Sequence, residues 1–265
     1  MSGSRGVLIE KPTAITIMRR KSTIAKILQL SLVLVIAGGL KLYYSTASVN
    51  GLRWVLAPTA FLVEIATGET FRFESYAGYM NGDHSFLIAA SCSGVNFLIT
   101  AFVLISIVKF WKERYEDSSW TIIPSAFAAA YLTTIAANTV RIAVALRLHR
   151  MGPGMIWINP EQVHRIEGIF IYFGFLILLF VISGGLRGTA DRFSLLRRSF
   201  IPLLIYWLIT LGMPIASGAF RSVTGFWEHF LFVVLMPLIL TLPLGIFIMV
   251  KRAGRRSFHR LSVDR

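Results

Sequence analysis

Three side chains with the chemistry of acyl transfer follow one another along the chain: Cys92, Arg141 and His164. A cysteine attacks as its thiolate, which requires a base or a neighbouring cation. A histidine can accept the thiol proton and later protonate a leaving amine. An arginine stays charged at neutral pH, so it can stabilise an oxyanion or hold a substrate but cannot act as a base. Thiol, guanidinium and imidazole together suit transfer of an acyl group through a thioester.

Cys92 is the single cysteine of the chain and lies in the stretch AASCSGVNFLIT, residues 89–100. A lone cysteine in a membrane segment is commonly a small buried hydrophobic residue. Here Ser91, Ser93 and Gly94 leave the approach to the thiol open. The sequence also predicts Cys92 in the first turn of a helix, where backbone N–H groups and the helix dipole stabilise a thiolate. Packing and catalysis both stay possible, and the small neighbours favour catalysis.

The elements that must position these residues are membrane-spanning helices. The chain is 55% hydrophobic and 15% charged, with a mean hydropathy of +0.67. Apolar runs of about 18 to 25 residues are long enough to cross a hydrocarbon core of about 30 Å. We therefore predict an all-α polytopic membrane bundle that forms a single domain over 1–265. Its expected spans, about six by this criterion, are 24–44, 86–110, 121–147, 164–183, 200–216 and 226–250.

Two segments receive special roles in this prediction. The apolar stretch 54–66 contains Pro58 and Glu64 and is too short to span, so we expect an interfacial or re-entrant segment. The helix at 121–147 is rich in Ala, Ser and Thr, which allow neighbouring helices to approach closely. We therefore expect that helix at the centre of the bundle.

The distribution of positive charge predicts the orientation in the membrane. The net charge of +14 would suit nucleic-acid binding, but most of the 27 basic residues flank the apolar runs. That arrangement is typical of the positive-inside rule, so we expect membrane lipids and not nucleic acid as partners. It predicts a multi-pass protein of the cell inner (cytoplasmic) membrane with both termini, including the basic tail 251–265, in the cytoplasm.

Helix geometry places the three chemical groups at one depth. With Lys109 at the cytoplasmic boundary, Cys92 lies about 26 Å away, near the outer boundary. Arg141 lies about 28 Å along its helix from Ile122, which again reaches the outer level. His164 is expected to open the next span at the same level. We therefore predict a site that faces the extracytoplasmic side.

Further polar residues accompany the three. Asn138 precedes Arg141 by three residues and shares its helix face, and Glu167 has the same relation to His164, where it could tune the imidazole. His84 precedes Cys92 by eight residues and could serve as the base instead of His164.

A metal site is an alternative that the spacing does not favour. Asp83, His84, His164 and the pair Glu228-His229 could supply ligands, but no HExxH or comparable motif is present. We therefore expect neither a metal nor another cofactor.

Three ordered motifs resemble those of the exosortases and archaeosortases: SCSGVNF, NTVRIAVAL and HRIEG followed by an apolar helix. The resemblance covers about 86–185 as a catalytic core and is nearest to the K-type exosortases. The helices of 200–250 are less characteristic. The resemblance implies a membrane cysteine transpeptidase or endopeptidase that cleaves the C-terminal sorting tail of exported precursors. Such a tail consists of a Pro-Glu-Pro-like motif, a transmembrane helix and a basic cluster, and the product passes to an envelope acceptor.

The same resemblance implies a role for each site residue. Cys92 would be the nucleophile, Arg141 the group that holds the oxyanion or the substrate, and His164 the general acid and base. Asn138 would orient Arg141 or the substrate, and Gly168 of the HxxxG pattern would allow close helix packing. Ser93 and Gly94 belong to the cysteine motif and are candidates for substrate binding. A polytopic transporter and a non-catalytic scaffold of an export complex remain the alternatives.

Overall fold

The computed structural model describes residues 14–112, 119–151, 160–186, 198, 200–216, 226–228 and 230–243. The predicted basic tail 251–265 lies outside these residues. The described elements are α1 (Ala14–Thr46), α2 (Arg53–Thr67), β1 (Phe71–Glu74), β2 (Gly78–Asn81), β3 (Leu87–Ile88), a 3₁₀ turn (Ala90–Cys92), α3 (Val95–Lys112), α4 (Ile122–Met151), α5 (Pro160–Ile182), α6 (Ile201–Trp207), a π-helical turn (Leu208–Gly212), α7 (Met213–Ala216) and α8 (Phe226–Pro243).

The predicted all-α polytopic membrane bundle is confirmed. Among the described residues, 5 helices are long and apolar enough to cross a membrane: the second part of α1, the segment that ends with α3, and α4, α5 and α8. The apolar helix over Ile201–Ile215 is shorter and contains the π-helical turn. The predicted span at 200–216 is thus helical but below the length of the other five.

The segment at 54–66 forms α2, which has 15 residues and is too short to span. One side of α2 packs on α4 and buries Val55, Leu56 and Val63, while Phe61 and Ile65 are exposed. The helix ends at Gly68, whose backbone is left-handed and whose N–H donates to the carbonyl of Glu64.

A three-stranded antiparallel sheet follows α2, and the sequence analysis did not predict it. Phe71 of β1 pairs with Asn81 of β2, and Tyr79 of β2 pairs with Ile88 of β3. Gly78 allows this close pairing, because a Cβ there would overlap the carbonyl oxygen of Ile88. The sheet takes up the start of the apolar run that we had assigned to the second span. That helix therefore begins at Val95 and not at residue 86.

The centre of the bundle is α3 and not α4. In the span that ends with α3, 72% of the most apolar window is buried, compared with 39% in α4. The reason is composition: α3 is apolar on all faces, so every face can pack on a neighbour. The small residues of α4 do allow close approach, since buried Ala126, Ala130 and Thr134 recur at helical spacing, but they form one face. Leu132 on another face of α4 is 67% exposed.

Hydrogen bonds at one end of the bundle fix the relative directions of three helices. Lys109 Nζ at the end of α3 donates to Ser125 Oγ at the start of α4 over 2.7 Å. Lys112 Nζ donates to the carbonyl of Ser183, just after α5. The end of α3, the start of α4 and the end of α5 therefore lie together. The 3₁₀ turn, the second half of α4 and the start of α5 accordingly meet at the opposite end.

Candidate active site

Cys92 lies in a tight turn immediately before α3. The N–H groups of Cys92 and Ser93 donate to the carbonyls of Ala89 and Ala90 over 2.9 and 3.1 Å, which closes the 3₁₀ turn. The expected position in the first helical turn was wrong, because Gly94 adopts a left-handed backbone (φ 71°) and separates the turn from α3. The thiol is half-buried. The N-terminus of α3, whose first N–H groups have no partner within the helix, begins directly after it.

A chain of hydrogen bonds connects three elements at this turn. Arg141 Nη1 on α4 donates to the hydroxyl of Tyr172 on α5 over 3.3 Å. The Tyr172 hydroxyl donates to Asn138 Oδ1 over 2.8 Å, and Asn138 Nδ2 donates to the carbonyl of Cys92 over 2.5 Å. Asn138 is completely buried. We call this chain from Arg141 to the Cys92 carbonyl the Arg–Tyr–Asn relay.

Arg141 lies beside the cysteine, as the depth argument predicted. Its guanidinium interacts electrostatically with Cys92 and Glu167, and it stacks over the Tyr172 ring at 5.3 Å from the centroid. Gly168 on α5 provides the space: a Cβ there would lie 3.0 Å from Arg141 Nε. Gly168 thus allows the guanidinium to lie between α4 and α5.

Gly94 allows the relay to approach the cysteine turn. A Cβ at this position would lie 3.2 Å from the Tyr172 hydroxyl, 3.3 Å from Thr134 Cγ2 and 3.5 Å from Asn138 Cγ. Two of these three atoms belong to residues of the relay. The small residue that the sequence singled out is therefore required both by its positive φ and by the close contacts.

We expect Gly94→Ala to lower both stability and activity. The left-handed backbone costs an alanine about 1–2 kcal/mol, and the new methyl group pushes against Tyr172 and Asn138. Gly68→Ala is the matched control, because Gly68 has a similar φ of 74° and nothing within 4 Å of an added Cβ. Thermal unfolding in detergent should fall in both variants, whereas alkylation of Cys92 should change only in Gly94→Ala. Equal alkylation in both variants would contradict this account.

A cleft of about 230 Å³ lies next to the cysteine turn. Gly94 and Arg141 lie at one part of its wall, and Arg165 contributes a second guanidinium. Cys92 itself is not among the lining residues, although its neighbours Ser91 and Gly94 are. Much of the remaining wall is aromatic, aliphatic or hydroxyl-bearing and comes from α1, α3, α5, α6 and the π-helical turn: Tyr44, Phe97, Thr100, Ile169, Tyr206 and Thr210.

His164 lies one turn inside α5, since that helix begins at Pro160 and not at the histidine. The side chain of His164 lies outside the described part of the structure. Its backbone position is informative, because residues 164, 168 and 172 are spaced four apart and share one helix face. Gly168 and Tyr172 on that face contact Arg141. His164 therefore lies one turn before Gly168, on the same face of α5 as Gly168 and Tyr172.

The remaining predicted residues are distributed as follows. Glu167 is half-buried and interacts with Arg141. Ser93 is fully buried, and its hydroxyl has no hydrogen-bond partner among the described residues. No described group of three His, Cys, Asp or Glu side chains is close enough to hold a metal ion.

His84 is exposed at the loop between β2 and β3, with a left-handed backbone (φ 59°). Asp83 stabilises this loop, because its carboxylate accepts hydrogen bonds from the hydroxyl and N–H of Ser85. These two bonds hold the pKa of Asp83 below its usual range. No contact joins His84 to Cys92 in the described residues, so the structure gives His84 no place beside the thiol.

The sequence analysis did not identify Tyr172 or Arg165. A tyrosine in an apolar helix is typical of a residue at the membrane interface, and an arginine at a helix start is typical of a topology signal. A usable signal was present nonetheless: Tyr172 follows Gly168 by four residues and thus shares its face. If Gly168 makes room for a partner helix, Tyr172 must contact that helix as well.

One comparison with known proteins covers the part of the chain that contains this site. Residues 74–182 match the family model described as transmembrane exosortase. No curated protein and no solved structure matches the chain. The matched residues begin at the last residue of β1 and end with α5, so they contain the cysteine turn, the Arg–Tyr–Asn relay and His164. The part of this membrane protein that holds the candidate active site is therefore similar to the transmembrane exosortases.

Proposed function

We propose that the protein is a cysteine-type transpeptidase or endopeptidase of the cell inner membrane. Its substrates are exported precursors that carry a C-terminal sorting tail: a Pro-Glu-Pro-like motif, a transmembrane helix and a basic cluster. The site faces the extracytoplasmic side, and both termini are cytoplasmic. The K-type subtype stays a prediction.

The reaction that suits these residues has two steps. The Cys92 thiolate attacks the scissile carbonyl, while the Arg141 guanidinium and the free N–H groups at the start of α3 stabilise the oxyanion. Collapse of the intermediate breaks the C–N bond, leaves the precursor as a thioester on Cys92, and releases the tail as an amine that His164 protonates. A nucleophile on the acceptor, or water, then gives its proton to His164 and attacks the thioester, and breakage of the C–S bond regenerates the thiolate.

The observation that carries this proposal is the position of Arg141. Its guanidinium is close enough to interact electrostatically with Cys92 and is connected to the Cys92 carbonyl through the Arg–Tyr–Asn relay. An arginine that merely extends to the interface would not need a buried asparagine and a tyrosine to hold it. A guanidinium held rigidly beside a thiol is what preorganised oxyanion stabilisation requires.

The shape of the site supports a substrate that is itself anchored in the membrane. The cleft borders α1, α3, α5 and the α6 region, all of which are apolar helices. A precursor whose transmembrane helix lies beside this bundle would present the residues just outside its helix at the level of Cys92. Its basic cluster would lie at the other end, beside Lys109 and Lys112.

The proposal is tested by trapping the thioester. The purified protein is reconstituted in liposomes with a reporter precursor that carries such a tail, and the mixture is quenched in acid. Since Cys92 is the only cysteine, any hydroxylamine-sensitive adduct on the enzyme must be on this residue. We expect the peptide that contains Cys92 to carry the new carboxyl end of the precursor, and prior alkylation to abolish both adduct and cleavage.

Three results would contradict the proposal. Cleavage that continues after complete alkylation of Cys92 would exclude the thiol as nucleophile. Solute flux through the liposomes without any precursor cleavage would favour the transporter alternative, and neither flux nor cleavage would favour the scaffold.

A further inference from the structure

Tyr172 is the one residue of the relay to which neither the motifs nor the proposed mechanism assigns a role. Its hydroxyl has a single proton, with which it donates a hydrogen bond to Asn138 Oδ1, and its oxygen accepts a hydrogen bond from Arg141 Nη1. This arrangement fixes the orientation of the Asn138 amide, because the carbonyl oxygen faces Tyr172 and the nitrogen faces the Cys92 carbonyl. One hydroxyl therefore determines how both the guanidinium and the cysteine turn are held.

The Tyr172 ring is held independently of its hydroxyl. It stacks on Phe97 of α3 with centroids 5.0 Å apart and an interplanar angle of 15°. Gly94 leaves room for the hydroxyl, since a Cβ there would lie 3.2 Å away. Removal of the hydroxyl alone should thus leave the ring in place, while Asn138 Oδ1 and Arg141 Nη1 each lose a hydrogen bond.

We infer that Tyr172 is the positioning residue of this site: its hydroxyl holds the Arg141 guanidinium beside Cys92 and, through Asn138, fixes the peptide that carries the thiol. The inference rests on the proposed function for its catalytic part. Its structural part, that the hydroxyl keeps the guanidinium near the thiol, does not depend on which reaction the thiol performs.

Tyr172→Phe tests the inference with two readouts. In precursor cleavage, kcat should fall about tenfold or more, while KM should stay within about twofold of the wild-type value. The reason is that the Arg141 guanidinium, which stabilises the oxyanion in the transition state, is no longer held in position. Alkylation of Cys92 by iodoacetamide at neutral pH should become several-fold slower, because the cation that favours the thiolate is no longer held beside it. A merely structural defect would instead loosen the turn and make alkylation faster.

Tyr131→Phe is the matched control. Tyr131 is also a partly buried tyrosine in a stacked pair, and its hydroxyl donates to the carbonyl of Trp54 over 2.6 Å. It lies outside the cleft and the relay, so its variant should keep wild-type cleavage and alkylation. The double variant Arg141→Lys/Tyr172→Phe should lose less activity than the product of the two single losses, since the hydroxyl acts in part through the guanidinium.

Each outcome decides the inference. The inference would be overturned by any of three results in Tyr172→Phe. These are a wild-type kcat together with a wild-type alkylation rate, a faster alkylation of Cys92, or a rise in KM at constant kcat. If the wild-type protein cleaves no precursor, the proposed function fails, and the alkylation rates still decide the structural part. If Tyr172→Phe does not fold, 3-fluorotyrosine at position 172 keeps the shape and weakens the hydroxyl as an acceptor. An unchanged alkylation rate in that protein would overturn the inference as well.

Discussion

Cys92→Ala should abolish precursor processing while leaving the fold intact. Among the described groups at the site, the thiolate is the strongest nucleophile for forming the acyl-enzyme bond, so we expect a loss of at least about 10³-fold. Cys92 is half-buried, and the hydrogen bonds that close its turn, as well as the one that its carbonyl accepts from Asn138 Nδ2, involve backbone atoms of the turn. Loss of the sulfur should therefore change the free energy of unfolding by less than about 1 kcal/mol. Processing is followed by the mobility shift of the reporter precursor, and stability by thermal unfolding in detergent.

Ser106→Ala provides the control for this change. Ser106 lies on α3, is fully buried, and its hydroxyl has no hydrogen-bond partner among the described residues. This variant removes a similar polar atom from the centre of the bundle and should process normally. Cys92→Ser should be as inactive as Cys92→Ala, because a hydroxyl without a strong base is a poor nucleophile. Processing by Cys92→Ser near the wild-type rate would contradict a thioester mechanism.

The meeting of Cys92 and Arg141 was predictable because the bilayer sets the length of a helix. Apolar spans of known direction place their end residues at known depths, and a rise of 1.5 Å per residue is sufficient to compare them. The electrostatic interaction between the two residues in the structure has this origin. The spacing of three residues between Asn138 and Arg141 also predicted that Asn138 shares the helix face of Arg141. In the structure, Asn138 contacts the Cys92 carbonyl.

The start of α3 was not predictable from hydropathy. Residues 86–90 are as apolar as the helix that follows, so no change in composition marks the boundary. The boundary depends on a non-local event, the pairing of Leu87 with Met80 of β2, and on the left-handed backbone of Gly94. The alternation Phe-Arg-Phe-Glu of β1 is a strand signal, but a stretch of four residues is too short to predict a strand by itself.

The central position of α3 illustrates a second limit. Small residues predicted that α4 would pack closely, which is correct for the face with Ala126, Ala130 and Thr134. Close packing on one side does not require burial on all sides, because lipid is as apolar as a neighbouring helix. Only the full set of helix contacts distinguishes a helix at the centre from one at the edge.

Replacement of Arg141 should produce the second large effect. In Arg141→Lys the positive charge remains, but an ammonium cannot keep both the stacking on Tyr172 and the hydrogen bond to its hydroxyl. We expect processing to fall about 10²- to 10³-fold, the usual cost of a lost oxyanion donor. Arg141→Gln should lose more, because it also removes the charge beside Cys92. Single-turnover cleavage of the reporter precursor measures both effects, and near-normal rates in Arg141→Lys would mean that charge alone is sufficient.

Gly168→Ala tests the position of the guanidinium without changing Arg141. The added methyl group would lie 3.0 Å from Arg141 Nε and should displace it, since α5 cannot move away without losing its packing on α3 and α4. We expect cleavage to fall about tenfold or more for such a displacement. Gly174→Ala, on the same helix with nothing within 4 Å of the added Cβ, should cleave normally. Equal activity of the two alanine variants would mean that catalysis tolerates a displaced guanidinium, and Arg141 would then be limited to binding the substrate.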